Sequence, residues 1–145
     1  MIAITRRILG VDYGETRTGL AVSDEMQFLA SGIGYIKCNG IKNIADEVAK
    51  KAAELDVCEI VVGMPVNMNG TLGEKSERIK EFIRILSDKV SVPINTLDER
   101  VTTMAAHQIL NFTNIKSSKR KGVIDTLSAQ IILQNYLDRR KNANL

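Results

Sequence analysis

The stretch ILGVDYGETRTGLAVSD, residues 8–24, contains the features that decide the fold. Residues 7–12 form a short apolar run that ends in an acid, Asp12, which predicts a buried strand. Residues 16–24 predict a second strand, and the glycine-containing residues 13–17 join the two as a hairpin. The chain therefore opens with an antiparallel pair and places a carboxylate at the end of its first strand.

Helices and further strands follow this hairpin. Apolar residues at helical spacing predict helices, and continuous apolar runs predict strands covered on both faces. We predict strands near 33–37, 58–65 and 92–99, and helices from 41 to 55, around 79–86, near 102–111 and over 123–140. Strands come first, then alternating helix and strand, then helices, without a repeat or a linker. This order indicates one α/β domain over residues 1–145.

Composition narrows the classes of function. The 145 residues are 44% hydrophobic, enough for a core, and no apolar run approaches the ~20 residues that span a bilayer. The first residues lack a signal-like apolar stretch, so we expect a cytoplasmic protein with no membrane partner. Cys38 and Cys58 are isolated and fit reduced thiols. His107 is the only histidine, which makes a zinc site hard to build, and we expect it to be structural.

The net charge of +3 is unevenly distributed along the chain. Residues 101–145 carry a balance of +5, with seven lysines or arginines and two acids, so the first hundred residues sum to −2. A basic C-terminal third suits a polyanionic partner such as nucleic acid. An ordinary solvated surface with a charged tail is the alternative.

Asp12 is the first candidate for chemistry. It ends a predicted core strand and a glycine-containing turn follows at once, so its carboxylate is expected at a sheet end, open to a ligand. A turn-capping role explains the same residues equally well. The pattern DYGETRTG, residues 12–19, also resembles the first phosphate loop of actin-like ATPases and sugar kinases. Such proteins need a second domain that closes over the nucleotide, for which 145 residues leave no room.

A long loop, VGMPVNMNGT over residues 62–71, follows the strand predicted at 58–65. Ligands bind at the C-terminal ends of parallel strands in open α/β sheets. Backbone amides and the side chains of Asn67 and Asn69 could hold a phosphate there. A plain connection with a turn at Asn69 is the alternative, although the loop is longer than usual.

Two adjacent acids and an arginine, Asp98, Glu99 and Arg100, end the strand predicted at 92–99. Because side chains alternate along a strand, the two acids should point to opposite faces. Only one of them is then expected to face the sheet end that bears Asp12. A solvated charge cluster is the alternative.

The segment KSSKRKGVIDTLSAQIILQ, residues 116–134, places Asp125 in the first turn of the helix predicted over 123–140. The helix dipole favours an acid there whatever the function. A mobile basic segment directly before this acid would draw a phosphodiester towards metal ions. The basic residues are Lys116, Lys119, Arg120 and Lys121.

Together the acids predict a metal site. Paired Mg²⁺ or Mn²⁺ ions held by several carboxylates would stabilise the attacking and leaving oxygens of a displacement at phosphorus. Acids at two neighbouring strand ends and one on a packed helix meet that requirement. The predicted contacts to the nucleic acid are Asn67, Asn69, Thr71, Arg100, Lys119, Arg120 and Lys121.

Four segments carry a resemblance to a known family. They are ILGVDYGETRTGLAVSD, EIVVGMPVNMNGTLGEKS, LDERVTTMAA and KGVIDTLSAQIIL, in this order within residues 8–137. They closely resemble the YqgF family, also called RuvX, of Holliday-junction-resolvase-like proteins. The resemblance implies an α/β, RNase H-like fold with a five-stranded mixed sheet, its first three strands antiparallel, and helices on both faces.

The resemblance also implies roles for single residues. Asp12, Glu99 of the DER motif and Asp125 would be the catalytic, metal-binding carboxylates, with Asp98 as the substitute for Glu99. Ser128 stands where many members have alanine, a small-for-small change. The family's loop motif G-x-P-x-x-x-x-G-T maps onto Gly63, Pro65, Gly70 and Thr71.

Family members are associated with processing the 5′ end of pre-16S rRNA, so the resemblance implies a metal-dependent nuclease in ribosome biogenesis. Cleavage of four-way DNA junctions is one alternative, and a catalytically silent nucleic-acid-binding module is another. Resolvases usually work as dimers, although no sequence feature marks a homodimer face. With three Tyr, three Phe and no Trp, we expect backbone or shape reading over single-strand base recognition.

Overall fold

The computed structural model describes residues 6–65, 73–98 and 117–143, with the side chains of 122–142 in the last segment. Its elements are β1 (Ile8–Asp12), β2 (Arg17–Ser23), β3 (Ala30–Lys37), α1 (Ile41–Leu55), β4 (Glu59–Met64), α2 (Glu74–Ser87), β5 (Ile94–Asp98) and α3 (Ser117–Ala143). No helix in these segments combines the length and apolar character that crossing a bilayer requires. Cys38 and Cys58 form no disulfide.

The five strands form one sheet in the order β3-β2-β1-β4-β5. β1 pairs antiparallel with β2, and β2 with β3, whereas β1–β4 and β4–β5 are parallel. This arrangement confirms the predicted five-stranded mixed sheet with three antiparallel strands at its start. Because β1 and β4 are parallel neighbours, their C-terminal ends lie at the same edge of the sheet, which is where ligands bind in such folds.

Alternating side chains divide the core between the two faces of the sheet. Leu9 and Val11 of β1 face α1 and α2, where they meet Phe82 in one buried cluster. Ile8 faces the other way and packs in a second cluster with Ile132 of α3. Each fully buried side chain of this size contributes about 1.5–3 kcal/mol. Helices therefore cover both faces, as predicted, and Asp12 shares its face with Ile8 and α3.

Glycines allow α3 to lie directly on the sheet. A Cβ atom on Gly10 of β1 would sit 2.8 Å from the Cβ of Leu133, and one on Gly32 of β3 would sit 2.7 Å from a side-chain carbon of α3. Carbon atoms normally approach no closer than about 3.5–4.0 Å. A Cβ on Gly19 of β2 would overlap the backbone carbonyl of Asp125. Three adjacent strands therefore need glycine for α3 to reach its position.

The start of α3 differs from the prediction. The helix begins at Ser117 and not near 123, so Asp125 lies well inside it and the expectation of a first-turn acid is wrong. Lys119, Arg120 and Lys121 belong to the helix backbone and do not form a mobile segment ahead of it. Charged residues are good helix formers, but they add nothing to the apolar periodicity on which the predicted boundary rested.

Glu59, at the start of β4, anchors the C-terminal half of α3 at the opposite end of the sheet. Its buried carboxylate accepts hydrogen bonds from Arg140 at 2.7 Å, from Asn95 at 2.9 Å and from the Tyr136 hydroxyl. Burial and the nearby carboxylate raise the pKa of Tyr136 to about 12, which keeps the hydroxyl a donor. A buried carboxylate is stable only when it is paired in this way.

We expect Gly19→Ala to lower the free energy of unfolding by ~1–3 kcal/mol, because the added Cβ meets a backbone carbonyl that no rotamer change can move. Urea unfolding followed by circular dichroism measures the loss. Ser31→Ala, on an exposed position of β3, is the control and should stay within about 0.5 kcal/mol of wild type. A wild-type midpoint for Gly19→Ala would contradict the close contact.

Candidate active site

Asp12, the last residue of β1, is the centre of the site. Its carboxyl group lies on the α3 face, at the sheet edge where β1 and β4 end. Burial, together with the negative charge of Asp125, raises its pKa from 3.8 to about 6, and the positive charge of Lys75 opposes this rise. A carboxyl group with so perturbed a pKa at a sheet end is typical of functional sites.

Asp125 reaches the same place from the other end of the sequence. Gly19 is the register partner of Asp12, and the backbone carbonyl of Asp125 lies against Gly19. Burial raises the pKa of Asp125, while its hydrogen bond with Arg17 and the positive charges of Arg17 and Lys75 oppose the rise. The structure thus brings together two of the three predicted carboxylates.

Arg17, the first residue of β2, pairs with Asp125. Its Nε donates a hydrogen bond to Oδ2 of Asp125 at 2.9 Å, and the side chains are 31% and 22% exposed. The turn before it is fixed because the hydroxyl of Thr18 accepts from the Gly14 amide at 3.3 Å and donates to the Gly14 carbonyl at 3.0 Å. Our sequence analysis did not single out Arg17, although hairpin pairing places its strand beside Asp12.

Lys75 is a second cation that sequence analysis missed. Its positive charge opposes the rise in the pKa values of both Asp12 and Asp125. Ser76, which is buried, donates a hydrogen bond to the Pro65 carbonyl at 2.5 Å and so ties the start of α2 to the end of β4. A lysine in the first turn of a helix opposes the helix dipole, and this unfavourable placement is a signal that could have identified it.

Asp98 ends β5 and pairs in register with Met64. Ile94 packs in the core of α1 and α2, whereas Leu97 packs in the core of α3. Alternation then places Asp98 with Ile94, on the face opposite to Asp12. Glu99, the predicted ligand for which Asp98 is the substitute, lies outside the described residues.

Several residues predicted to act at the site stay predictions, because the structure does not describe their side chains. Asn67, Asn69, Thr71, Glu99 and Arg100 lie outside the described residues, as do His107 and the helix expected near 102–111. Lys119, Arg120 and Lys121 are described only by their backbone in the first turns of α3.

The cluster consists of two partly buried carboxylates beside two cations. Within residues 6–65, 73–98 and 117–143, no three acidic, histidine or cysteine side chains converge. The carboxylates of Asp12 and Asp125 are the oxygen ligands that hard divalent cations prefer. The guanidinium of Arg17 and the ammonium of Lys75 are groups that bind phosphate. This combination suits chemistry on a phosphodiester.

Comparison with known proteins supports this interpretation. A family model described as "RuvX: Holliday junction resolvase" matches residues 6–139. A protein of Ruminiclostridium cellulolyticum named "Putative pre-16S rRNA nuclease" is 47% identical over 92% of this chain and 94% of its own length. A protein of Natranaerobius thermophilus with the same name is 44% identical over 95% of this chain and 98% of its own length.

Solved structures confirm the RNase H-like fold. Thermus thermophilus RuvC in complex with a Holliday junction substrate superposes with a TM-score of 0.59, at 14% identity over 94% of this chain and 96% of that chain. Fowlpox virus resolvase in complex with Holliday junction DNA also gives 0.59, at 15% identity over 92% of this chain and 98% of that chain.

We expect Asp12→Asn to stabilise the metal-free protein at pH 7. The pKa of Asp12 is raised from 3.8 to about 6 on folding, so above about pH 6 the folded state carries a carboxylate that is less favourable there than in the unfolded chain. Below about pH 4 both states are protonated and the penalty is absent. The gain should therefore shrink as the pH falls from 6 to 4.

Urea midpoints measured in chelator across this pH range test the expectation. Glu25→Gln, at an exposed position in the β2–β3 turn, is the control and should show no such pH-dependent gain. A stability difference for Asp12→Asn that stays constant with pH would contradict the raised pKa of Asp12.

Proposed function

Because the chain belongs to the RuvX family, we propose that it is a nuclease that hydrolyses phosphodiester bonds of precursor 16S rRNA near the 5′ end. The convergence of Asp12 and Asp125 at one sheet edge, beside Arg17 and Lys75, is the observation that carries the proposal. The names of relatives that match nearly the whole chain support the rRNA substrate. Catalysis is assigned to Asp12, Asp125 and Glu99.

Two divalent cations, Mg²⁺ or Mn²⁺, are part of the proposal. The described residues fit such a site, since Asp12 and Asp125 offer oxygen ligands and their burial leaves negative charge that Arg17 and Lys75 only partly offset. Bound ions would lower the pKa of the attacking water and stabilise the charge that develops on the phosphate. The single histidine of the chain is not needed as a base.

Glu99 is proposed as the third carboxylate because of the strand that precedes it. Leu97 packs towards α3 and Asp98 lies on the opposite face. A strand that continued by one residue would return to the face of Asp12. This alternation favours Glu99 over Asp98.

Arg17 and Lys75 would hold the substrate. If Asp125 held a cation, the guanidinium of Arg17, which pairs with Asp125 in this structure, would be able to form paired hydrogen bonds with phosphate oxygens. Lys75, in the first turn of α2, supplies a positive charge that acts on both Asp12 and Asp125. Further contacts to the nucleic-acid backbone are proposed from the predicted loop and basic residues, which are Asn67, Asn69, Thr71, Arg100, Lys119, Arg120 and Lys121.

Four-way DNA junctions are the second candidate substrate, because the matching family model is described as a Holliday junction resolvase. A catalytically silent module accounts less well for the site, since a scaffold has no use for two partly buried acids close together. The unpaired Cys38 and Cys58 are in keeping with action in the reducing cytoplasm. A homodimer stays a prediction.

Cleavage assays test the proposal directly. We expect Asp12→Asn, Asp125→Asn and Glu99→Gln each to reduce cleavage of a precursor 16S rRNA 5′ leader by more than about 100-fold, because each removes a metal ligand. Asp98→Asn is the matched control and should retain activity. Four-way junctions and plain single strands, each with Mg²⁺ or Mn²⁺, complete the substrate set.

The outcomes separate the candidates. Equal cleavage by wild type and the variants would refute the site. If Asp98→Asn lost activity while Glu99→Gln kept it, Asp98 and not Glu99 would be the third ligand. Cleavage of junctions alone would replace the rRNA substrate. Binding of nucleic acid without cleavage by wild type would favour the silent module.

A separate measurement tests the competition between Arg17 and the cation. We expect Arg17→Met to bind Mn²⁺ about two- to fivefold more tightly, because the guanidinium no longer occupies Asp125, and to cleave more slowly. Arg78→Met, which removes an exposed partner of Glu15, is the control. Electron paramagnetic resonance of free Mn²⁺ gives the affinity, and weaker binding by Arg17→Met would contradict the competition.

A further inference from the structure

A groove lies between α3 and β3, which is an outermost strand of the sheet. Its lining includes Gly34, Tyr35, Gly122, Val123, Thr126 and Gln130, and its volume is about 460 Å³. Pockets of this size bind small organic groups. Tyr35 is 47% exposed and is the aromatic residue among the described residues of the lining.

The sheet register connects this groove to the acids. Asp12 pairs with Gly19, and Gly19 pairs with Tyr35, so the three residues form one row across β1, β2 and β3. All three lie on the α3 face, where Gly19 meets Asp125 and Tyr35 meets Gly122. Two strand spacings separate Asp12 from Tyr35, or ~10 Å. The groove therefore continues the proposed active site along the sheet.

The Tyr35 ring is backed by the helix and open on its other side. A Cβ on Gly122 would lie 2.5 Å from Cε1 of the ring, so only glycine at this point of α3 lets the ring pack against the helix backbone. The side chain is nevertheless 47% exposed, so the ring keeps an open side. A supported aromatic ring with an open side is a stacking platform.

Charge around the groove favours a polyanion. Arg17 pairs in register with Lys37, two residues from Tyr35 on the same strand. Lys119, Arg120 and Lys121 directly precede Gly122 in the first turns of α3. Among the residues that the structure describes, none of those lining the groove is acidic. The charges of Arg17 and Lys37 suit the phosphates on either side of a stacked nucleotide.

We propose that this groove holds one unpaired nucleobase of the substrate strand, stacked on Tyr35, next to the phosphate cleaved at Asp12 and Asp125. The inference rests on the proposed nuclease function and makes the substrate single-stranded at this position. The Thr126 hydroxyl and the Gln130 amide donate to the carbonyls of Gly122 and Ala30. With those donors engaged, stacking accepts any base and gives little sequence preference.

Fluorescence tests the groove without requiring cleavage. The chain has no tryptophan, so Tyr35→Trp introduces a single reporter at the stacking position. In chelator and low salt, a short single-stranded RNA of mixed sequence should quench its emission saturably, and a blunt RNA duplex should quench it much less. Phe28→Trp is the control, since Phe28 is equally exposed at 48% but lies on the β2–β3 turn, at the far end of the sheet.

Binding affinities provide the second measurement. Tyr35→Ala should weaken single-strand binding about 5- to 150-fold, the cost of one lost stacking contact, while Tyr35→Phe should recover most of the affinity. Duplex binding should change little in either variant. Because Tyr35→Phe keeps the ring, it remains informative even if Tyr35→Ala disturbs the fold.

The outcomes distinguish this inference from the proposed function. If cleavage depends on Asp12 but Tyr35→Trp is not quenched and Tyr35→Ala binds as wild type, the groove proposal is wrong and the nuclease stands. If quenching occurs but no substrate is cleaved, the groove stands and the nuclease proposal fails. If the emission of Tyr35→Trp fell with rising protein concentration and did not respond to RNA, the groove would be an interface between copies of the chain, and the inference would be wrong.

Discussion

The contact of α3 with Gly19 is the constraint on which the rest of the structure depends. The backbone of Asp125 occupies the place where any other residue at position 19 would carry its Cβ. This contact sets how deep the helix lies and which of its residues faces the end of β1. Gly10 and Gly32 extend the same close approach to the neighbouring strands, so one face of the sheet is shaped for a single helix. The acidic pair is a consequence of that packing.

This packing removes water from around the carboxyl groups of Asp12 and Asp125, and their raised pKa values follow mainly from that desolvation. Desolvation raises the pKa of both Asp12 and Asp125, the charge of Asp125 adds to the rise at Asp12, and Arg17 and Lys75 offset only part of these shifts. At the other end of the sheet, Glu59 shows the opposite solution, with its carboxylate satisfied by three donors. The acid at one end of α3 is therefore fully hydrogen-bonded, whereas the acids at the other end are only partly neutralised and suit a bound cation and a polyanion.

Much of the fold could be predicted from local pattern. Continuous apolar runs predict β1 and β4 because both are buried on two faces, and helical spacing predicts α1 because its one apolar stripe meets the sheet. The start of α3 could not be predicted, since its first turns carry no apolar periodicity. The Arg17–Asp125 bond joins residues 108 positions apart, and no local signal encodes such a contact. Alternation predicts that Asp98 and Glu99 point to opposite faces; the structure places Asp98 on the face of Ile94, and the orientation of Glu99 stays a prediction.

The position of α3 also has a consequence for the order of events in the cell. The helix packs on β1, β2 and β3, the earliest strands of the chain, yet it is synthesised after them by about a hundred residues. Contacts of such high sequence separation form late and close a long loop. During translation the sheet can therefore collapse against α1 and α2 while Asp12 still lacks its acidic partner. A nascent chain attached to the ribosome would remain inactive towards RNA until its last segment emerges and docks.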